Sequence, residues 1–312
     1  MKIVYLDAYP LGEASLAPIE RWGELIRYED SSPEQVVERA REAEVVIVNK
    51  VKIFRPEIDA LPRLRLICVS ATGVNNVDTE YAAARGIAVK NVAGYSTQSV
   101  AEATLGMALA LLRNLVYYDR YVKEGAYTVS GRIFNPRGVI SEINGKTWGI
   151  IGLGAIGRRV AALAEAFGAS VMYHSVSGHR REEHYPEKPL DELLAASDIV
   201  SIHAPLTDRT QNLIGDRELH RMKPTAILVN VARGGIVDEA ALARAIDQRV
   251  IAGAALDVFE HEPMPAGNPL LAVRDPDRLL LAPHSAWNSA EARTELILRV
   301  AQNIREFVGG GM

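Results

Sequence analysis

The sequence predicts two α/β domains, each built on a doubly wound parallel sheet, and three observations lead there. Short apolar segments alternate with helix-forming segments through both halves of the chain, the pattern that βαβ units leave in a sequence. A glycine-rich turn, Gly152-Leu-Gly-Ala-Ile-Gly157, falls near the middle of the 312 residues. Residues 124–146 form an irregular stretch, broken by Gly125, Gly131, Pro136, Gly138 and Gly145, between the two alternating runs. A nucleotide-type unit that begins near residue 100 implies another domain in front of it, with a ligand cleft expected between the two.

In the first run, residues 3–6, 45–48 and 66–69 read as strands, and 14–22 and 34–43 as helices. Ser32 is suited to cap the second of these helices, with Pro33 at its first position. A long helix is expected over 99–123. It is apolar on more than one face, which calls for neighbours on more than one side, a second subunit among them. The chain is therefore expected to form a homodimer through this helix. Strands near 170–173, 198–202, 226–230, 251–255 and 279–281 make the second run. A final amphipathic helix over 289–308 precedes Gly309-Gly-Gly311, an end expected to fray.

The glycine turn carries the first functional signal. Trp148 to Ile151 is an apolar run too short for a helix, and apolar residues at 156, 160, 163, 164 and 167 follow with helical spacing up to Gly168. Strand, G-x-G-x-x-G and helix in that order make a Rossmann-type dinucleotide fingerprint. Gly152 permits the tight turn, Gly154 lets a pyrophosphate approach the backbone, and Gly157 lets helix and strand pack closely. Ala155 and Ile156 lie in the helix's first turn, where backbone N–H groups favour an anion.

Composition removes several function classes. At 48% hydrophobic and 24% charged the chain is globular. A net charge of −4 with no long basic run offers no footprint for nucleic acid. The longest apolar stretch, 105–112, is far short of a membrane span, and Asp7 comes too early for a signal peptide. A cytoplasmic protein is expected. Cys68, the single cysteine, lies within Leu66-Ile-Cys-Val69 and reads as a buried core thiol.

Three segments after strand candidates of the second run each offer a polar group where α/β sheets bind ligands. They are Val229-Asn-Val-Ala-Arg-Gly-Gly235, Ala255-Leu-Asp-Val-Phe-Glu-His-Glu-Pro263 and Leu281-Ala-Pro-His-Ser-Ala-Trp287. Arg233 can grip a carboxylate through two parallel hydrogen bonds and polarise a neighbouring carbonyl. His284 can give or take the proton that accompanies hydride transfer. Glu262 beside it would favour the imidazolium and orient the ring.

With these motifs the chain resembles the D-isomer-specific 2-hydroxyacid dehydrogenases over nearly its whole length. The resemblance runs through Ala71-Thr-Gly-Val-Asn-Asn-Val-Asp78, Ser99-Val-Ala-Glu102, the Gly152–Gly157 turn, His203-Ala-Pro-Leu206, Asn230-Val-Ala-Arg-Gly-Gly235, Leu256-Asp-Val-Phe259, Glu262-Pro263 and Pro283-His284. It implies an NAD(P)-dependent oxidoreductase acting on a small 2-keto or 2-hydroxy acid. By resemblance, Arg233 anchors the substrate, His284 is the acid/base with Glu262 as partner, and Thr72, Gly73 and Val74 offer N–H groups to the substrate carboxylate. Asp257 would hold the nicotinamide amide. His203, Ala204, Pro205, Thr210, Val231 and Ala232 would line the cofactor site, together with His284. Formate dehydrogenases of the superfamily carry Gln at the Glu262 position, which argues against that branch. The resemblance also implies a flavodoxin-like substrate domain, 1–97 with 288–312, beside the nucleotide domain, 98–287.

Asn49-Lys50-Val51, Gly94-Tyr-Ser-Thr97, Gly145-Lys-Thr-Trp-Gly149 and Pro283-His-Ser-Ala-Trp287 look most like the glycerate dehydrogenase or hydroxypyruvate reductase branch. That branch implies hydroxypyruvate or glyoxylate as substrate. Trp287 reads equally as a wall of the substrate pocket and as a packing aromatic. At the end of the second nucleotide-domain strand, where NAD enzymes place an acid for the ribose 2'-OH, stands His174. Ser175, Ser177, Arg180 and Arg181 follow it and suit a 2'-phosphate, so NADP is favoured and NAD stays open. His174, His179 and His184 are spaced by five and share no helix face, so no metal is expected. The other function left open is a nucleotide-sensing corepressor, since proteins of this fold also serve there.

Overall fold

The computed structural model describes residues 1–136, 138–178 and 184–309. His179, Arg180 and Arg181 lie outside the described residues. The chain divides into two compact units, Met1–Ser96 with Asn288–Met312, and Thr97–Trp287.

The first unit contains β1 (Lys2–Tyr5), β2 (Glu24–Arg27), β3 (Val45–Val48), β4 (Leu66–Val69) and β5 (Ala88–Asn91). All pair in parallel in the order β2-β1-β3-β4-β5, a flavodoxin-like arrangement. Every residue of β3 and β4 is buried, because helices cover both faces of such a sheet, and the strands read as unbroken apolar runs. The edge strands β2 and β5 escape the sequence reading because their charged residues, Glu24, Arg27 and Lys90, break the pattern. The helix expected over 14–22 contracts to Ala17–Glu20. The chain must turn at once into β2, and a Cβ at Gly23 would lie 2.1 Å from the Met1 carbonyl oxygen, so only glycine lets β2 start beside β1.

The helix Pro33–Ala40 starts at Ser32, whose N–H donates to Gln35 Oε1 at 3.0 Å. The last helix, Ala290–Gly309, returns to this unit: Arg293 donates to the Leu11 carbonyl at 3.1 Å and Arg299 to that of Ala93 at 2.8 Å. Cys68 is fully buried, and burial pushes its thiol up to about 12, which leaves it inert.

The second unit contains β6 (Thr147–Ile151), β7 (Ser170–His174), β8 (Ile199–Ile202), β9 (Ile227–Asn230), β10 (Gly253–Leu256) and β11 (Leu279–Leu281), in the order β11-β10-β9-β8-β6-β7. A parallel bridge between Tyr173 and Glu187 adds one rudimentary strand outside β7. With that bridge counted third, the unit has the doubly wound order 3-2-1-4-5-6 plus one. Alternate residues feed two cores. Ile151, Val200, Leu228 and Leu256 pack into one, and Trp148, Ile150, Ile199 and Val229 into the other.

The helix expected over 99–123 is two helices, Thr97–Leu112 and Leu115–Lys123, bent by 61°. Asn114 between them has φ +51°, a left-handed conformation that ends a helix and that Asn tolerates better than most residues. The Leu112 carbonyl, left over at the break, accepts the Ser141 N–H at 2.9 Å. The stretch after it also holds a short helix, Ala126–Ser130. Among the described residues no single helix is long and apolar enough to cross a membrane.

Candidate active site

The glycine turn joins β6 to the helix Ala155–Ala166. Gly152 has φ +91°, and a Cβ there would lie 3.0 Å from the backbone of His203 and Ala204. A Cβ on Gly157 would lie 2.3 Å from the Gly152 carbonyl oxygen. Both glycines are therefore demanded by the protein's own packing. Gly154 differs: a Cβ there would meet no protein atom within 4 Å. It caps the helix with no side-chain hydrogen bond, and Ala155 after it is exposed. The open space before this helix N-terminus is the cradle a pyrophosphate needs, and a side chain at 154 would fill it.

The ends of β7 and β8 flank this turn. The His174 carbonyl oxygen accepts the Gly152 N–H at 3.0 Å, and the His174 Nδ1 lies 3.1 Å from the Lys188 carbonyl. Ser175 and Ser177 face each other with hydroxyls 3.2 Å apart. His203 follows β8, with Nε2 3.0 Å from Ser201 Oγ, which also accepts the buried Trp148 Nε1–H at 2.9 Å. Its Nδ1 is buried without a partner among the described residues, and burial depresses the ring to about 3, so it is neutral. Thr210 staples the loop after Ala204, donating to the Pro205 carbonyl at 2.7 Å and accepting the Thr207 N–H at 2.8 Å.

Three further loops leave β9, β10 and β11 on the same carboxyl edge of the sheet. After β9, Asn230 folds the chain back on itself: its Oδ1 accepts the Ala232 N–H and its Nδ2 donates to the Arg233 carbonyl, each at 3.0 Å. Val231 and Ala232 occupy the turn, and Arg233 Nη1 donates to the Ala232 carbonyl at 2.7 Å. Gly234 can be nothing larger, since a Cβ would lie 1.8 Å from the Phe259 carbonyl oxygen. The β9 and β10 loops are thus in backbone contact.

The loops after β10 and β11 bring His284 and Glu262 together, with Nδ1 and Oε2 2.7 Å apart. A carboxylate only accepts, so the hydrogen sits on Nδ1 and Nε2 is left to exchange protons. Glu262 Oε1 meanwhile accepts the Phe259 N–H at 3.1 Å. His284 has φ +53°, a strained value for a non-glycine residue and one that structures hold at functional sites. Asp257, 1% exposed, supplies the hold. Its two oxygens accept the N–H groups of Ser285 at 2.7 Å and Ala286 at 2.9 Å, and its carbonyl accepts that of His284 at 2.8 Å. Burial raises its carboxyl and those amide bonds oppose the rise.

Sequence reasoning missed two braces. Asn230 stood in a quoted motif but was given no role, although an Asx residue ahead of a glycine pair is a turn signal. Glu239 read as an ordinary first-turn acid of the helix Glu239–Asp247. It is buried, and its oxygens accept the Glu260 N–H at 2.7 Å and Asn268 Nδ2 at 2.5 Å, which fixes the loop that carries Glu262. In the first unit, Thr72, Gly73 and Val74 follow β4. Asn91 Nδ2 donates to the Thr72 carbonyl at 2.6 Å, and Val74 packs on that unit's core. Trp287 packs against the second unit's core.

Residues 105–286 match the family described as "D-isomer specific 2-hydroxyacid dehydrogenase, NAD binding domain". The chain belongs to that family. It is an oxidoreductase acting on the CH–OH group of D-2-hydroxy acids, with a nicotinamide cofactor. Glycerate dehydrogenase of Methylorubrum extorquens is 39% identical over 99% of this chain and 96% of its own. Glyoxylate reductase of Korarchaeum cryptofilum is 38% identical over 96% of this chain and 90% of its own. A solved acyclic imino acid reductase in complex with NADPH and D-Arg has a TM-score of 0.86 and 30% identity, covering 99% of this chain and 98% of that one.

Proposed function

We propose that this dehydrogenase reduces hydroxypyruvate or glyoxylate with NADPH. The observation that carries the chemistry is the 2.7 Å His284–Glu262 pair, set on the same sheet edge as Arg233 and the glycine turn. The open cradle at Gly154 fits a dinucleotide. Gly152, Gly154, Ala155, Ile156 and Gly157 would hold its pyrophosphate, with His203, Ala204, Pro205, Thr210, Val231 and Ala232 along its length and Asp257 near the nicotinamide amide. Bound there, the nicotinamide supplies the hydride.

The protein's own groups do the rest. Arg233 holds the substrate carboxylate and polarises the keto oxygen, and Thr72, Gly73 and Val74 offer N–H groups to the same carboxylate. His284 delivers its Nε2 proton to the oxygen that becomes the hydroxyl, and Glu262 stabilises the imidazolium before transfer. Asp257 and Glu239 keep the pair aligned. Trp287 bounds the substrate side.

The names of the relatives from Methylorubrum and Korarchaeum support this choice of substrate. His174 in place of an acid, followed by Ser175 and Ser177, supports NADPH, and Arg180 and Arg181 belong to the same reading. The corepressor alternative is not favoured, since the named relatives are enzymes. Initial rates on hydroxypyruvate, glyoxylate and pyruvate, each with NADPH and NADH, test the proposal. Hydroxypyruvate or glyoxylate with NADPH should lead. An NADH preference would remove the phosphate pocket, and no turnover with any pair would refute the whole reading.

We also propose a cytoplasmic homodimer joined through the helices Thr97–Leu112 and Leu115–Lys123 and the segment after them. Leu115, Val122, Val129, Ile133, Phe134 and Val139 all lie exposed there, and a cluster of exposed apolar side chains suits an interface. Light scattering that returned the 34.0 kDa monomer mass would refute it.

A further inference from the structure

Arg209 is a cation with no assigned task. It lies on the loop after β8, exposed, one residue before the buried Thr210 that staples that loop to Pro205 and Thr207. The guanidinium is therefore carried on a tied turn. It reaches to the turn after β7, where a Cβ at Gly178 would lie 3.9 Å from Arg209 Nη1. β7 and β8 are the two neighbours of β6, so Arg209 links the loops on either side of the glycine turn. Among the described residues it makes no hydrogen bond and no ion pair. A guanidinium beside a backbone turn whose five donors have no partner among the described residues is arranged for an anion from outside the protein.

The turn it covers specifies which anion. Val176 packs on the second unit's core and anchors the turn, while Ser175 and Ser177 on either side bring their hydroxyls within 3.2 Å of each other. His174 is turned toward the Lys188 carbonyl and offers no carboxylate at the position that would pair with a ribose diol and repel a phosphate. Two hydroxyls and a guanidinium that has no partner among the described residues, with His174 in place of an acid, match the three acceptor oxygens of a phosphate monoester. We propose that Arg209 is a further residue that reads the 2'-phosphate of NADPH and contributes to the cofactor preference, an inference that rests on the NADPH reading above. The cation comes from the loop after β8, a different loop from the one where NAD enzymes carry the discriminating acid.

The experiment compares kcat/KM for NADPH and NADH, and inhibition by 2',5'-ADP and 5'-AMP, in the wild type, Arg209→Ala and Arg209→Lys. The wild type should prefer NADPH. In Arg209→Ala the preference should fall about tenfold or more through the NADPH KM, and 2',5'-ADP should weaken with it while 5'-AMP changes much less. Arg209→Lys should recover part of both, because a point charge still pairs with phosphate without the planar fork. An Arg209→Ala variant that keeps the wild-type preference overturns the proposal and leaves the NADPH reading standing. Equal weakening toward both cofactors overturns it too, because it would assign Arg209 to the adenine ring. A wild type that prefers NADH overturns the NADPH reading itself, and this proposal falls with it.

Discussion

Replacing His203 by leucine should change how the protein responds to acid. The imidazole sits at the end of β8 with Nδ1 buried and unpartnered, and burial holds it at about 3, against an ordinary value of about 6.5 for the unfolded chain. The folded-state value is the depressed one, so the unfolded chain binds the proton first. Stability is fully present above about pH 6.5 and is lost as pH falls toward 3. The linkage relation with those two values gives a loss of about 2 kcal/mol between pH 7 and pH 5, and about 1.2 kcal/mol per further unit down to 3. That is a sizeable share of the 5–15 kcal/mol that ordinarily separates folded from unfolded chains. His203→Leu removes the titrating group. Its stability should fall by about 2 kcal/mol less than the wild type's over the same interval, whatever the substitution does at pH 7. Urea unfolding of the cofactor-free protein at pH 7, 6 and 5, followed by tryptophan emission, measures the difference. Parallel losses in the two proteins would refute the assignment of a neutral His203 with a buried Nδ1.

Other substitutions test the site more directly. His284→Asn removes the proton while tolerating the left-handed backbone at that position; turnover should drop by about a hundredfold or more with NADPH still bound in a fluorescence titration, and near-normal turnover would unseat His284 as the acid. Arg233→Lys should raise the keto-acid KM and lower kcat, since an ammonium cannot make the bidentate fork; steady-state constants equal to the wild type's would count against it. The glycine turn offers a matched pair. Gly157→Ala drives a Cβ onto the Gly152 carbonyl and should destabilise the second unit by about 1–3 kcal/mol in denaturant. Gly154→Ala meets no protein atom and should leave the melting temperature in place while weakening the nucleotide. Loss of nucleotide binding in neither variant would remove the cradle.

Much of this architecture is local and therefore legible from the chain alone. β3, β4, β8 and β9 are buried on both faces, and a strand covered on both sides is apolar at most positions, so Val45–Val48 or residues 227–229 stand out with no knowledge of their partners. The fingerprint is equally local, because strand, three glycines and helix follow one another within about twenty residues. The family resemblance rests on motifs of the same short range. The edge strands β2 and β5 were not legible, since an edge is defined by the neighbour it lacks and its residues answer to solvent. The break at Asn114 was hidden inside a continuous apolar helical pattern, which records which faces are buried and says little about one backbone angle.

The arrangement of the site depends most on the tertiary structure. Glu262 and His284 lie 22 residues apart in two loops, and their 2.7 Å contact exists because β10 and β11 pair in parallel and end at the same edge. Nothing in the sequence marks Glu239 as more than a first-turn acid, or Asp257 as the residue that holds the backbone of His284, Ser285 and Ala286. Both become braces only when a partner loop's N–H groups are brought beside them, where an unmet buried donor would cost about 1–3 kcal/mol. The sequence by itself determined that this is a parallel α/β protein of a nicotinamide-dependent family, because hydrophobic period and glycine spacing are written residue by residue. Which carboxylates brace the loops, and which guanidinium has no partner among the described residues, were decided only by the tertiary structure, because burial and hydrogen bonding are properties of neighbours brought together across the fold.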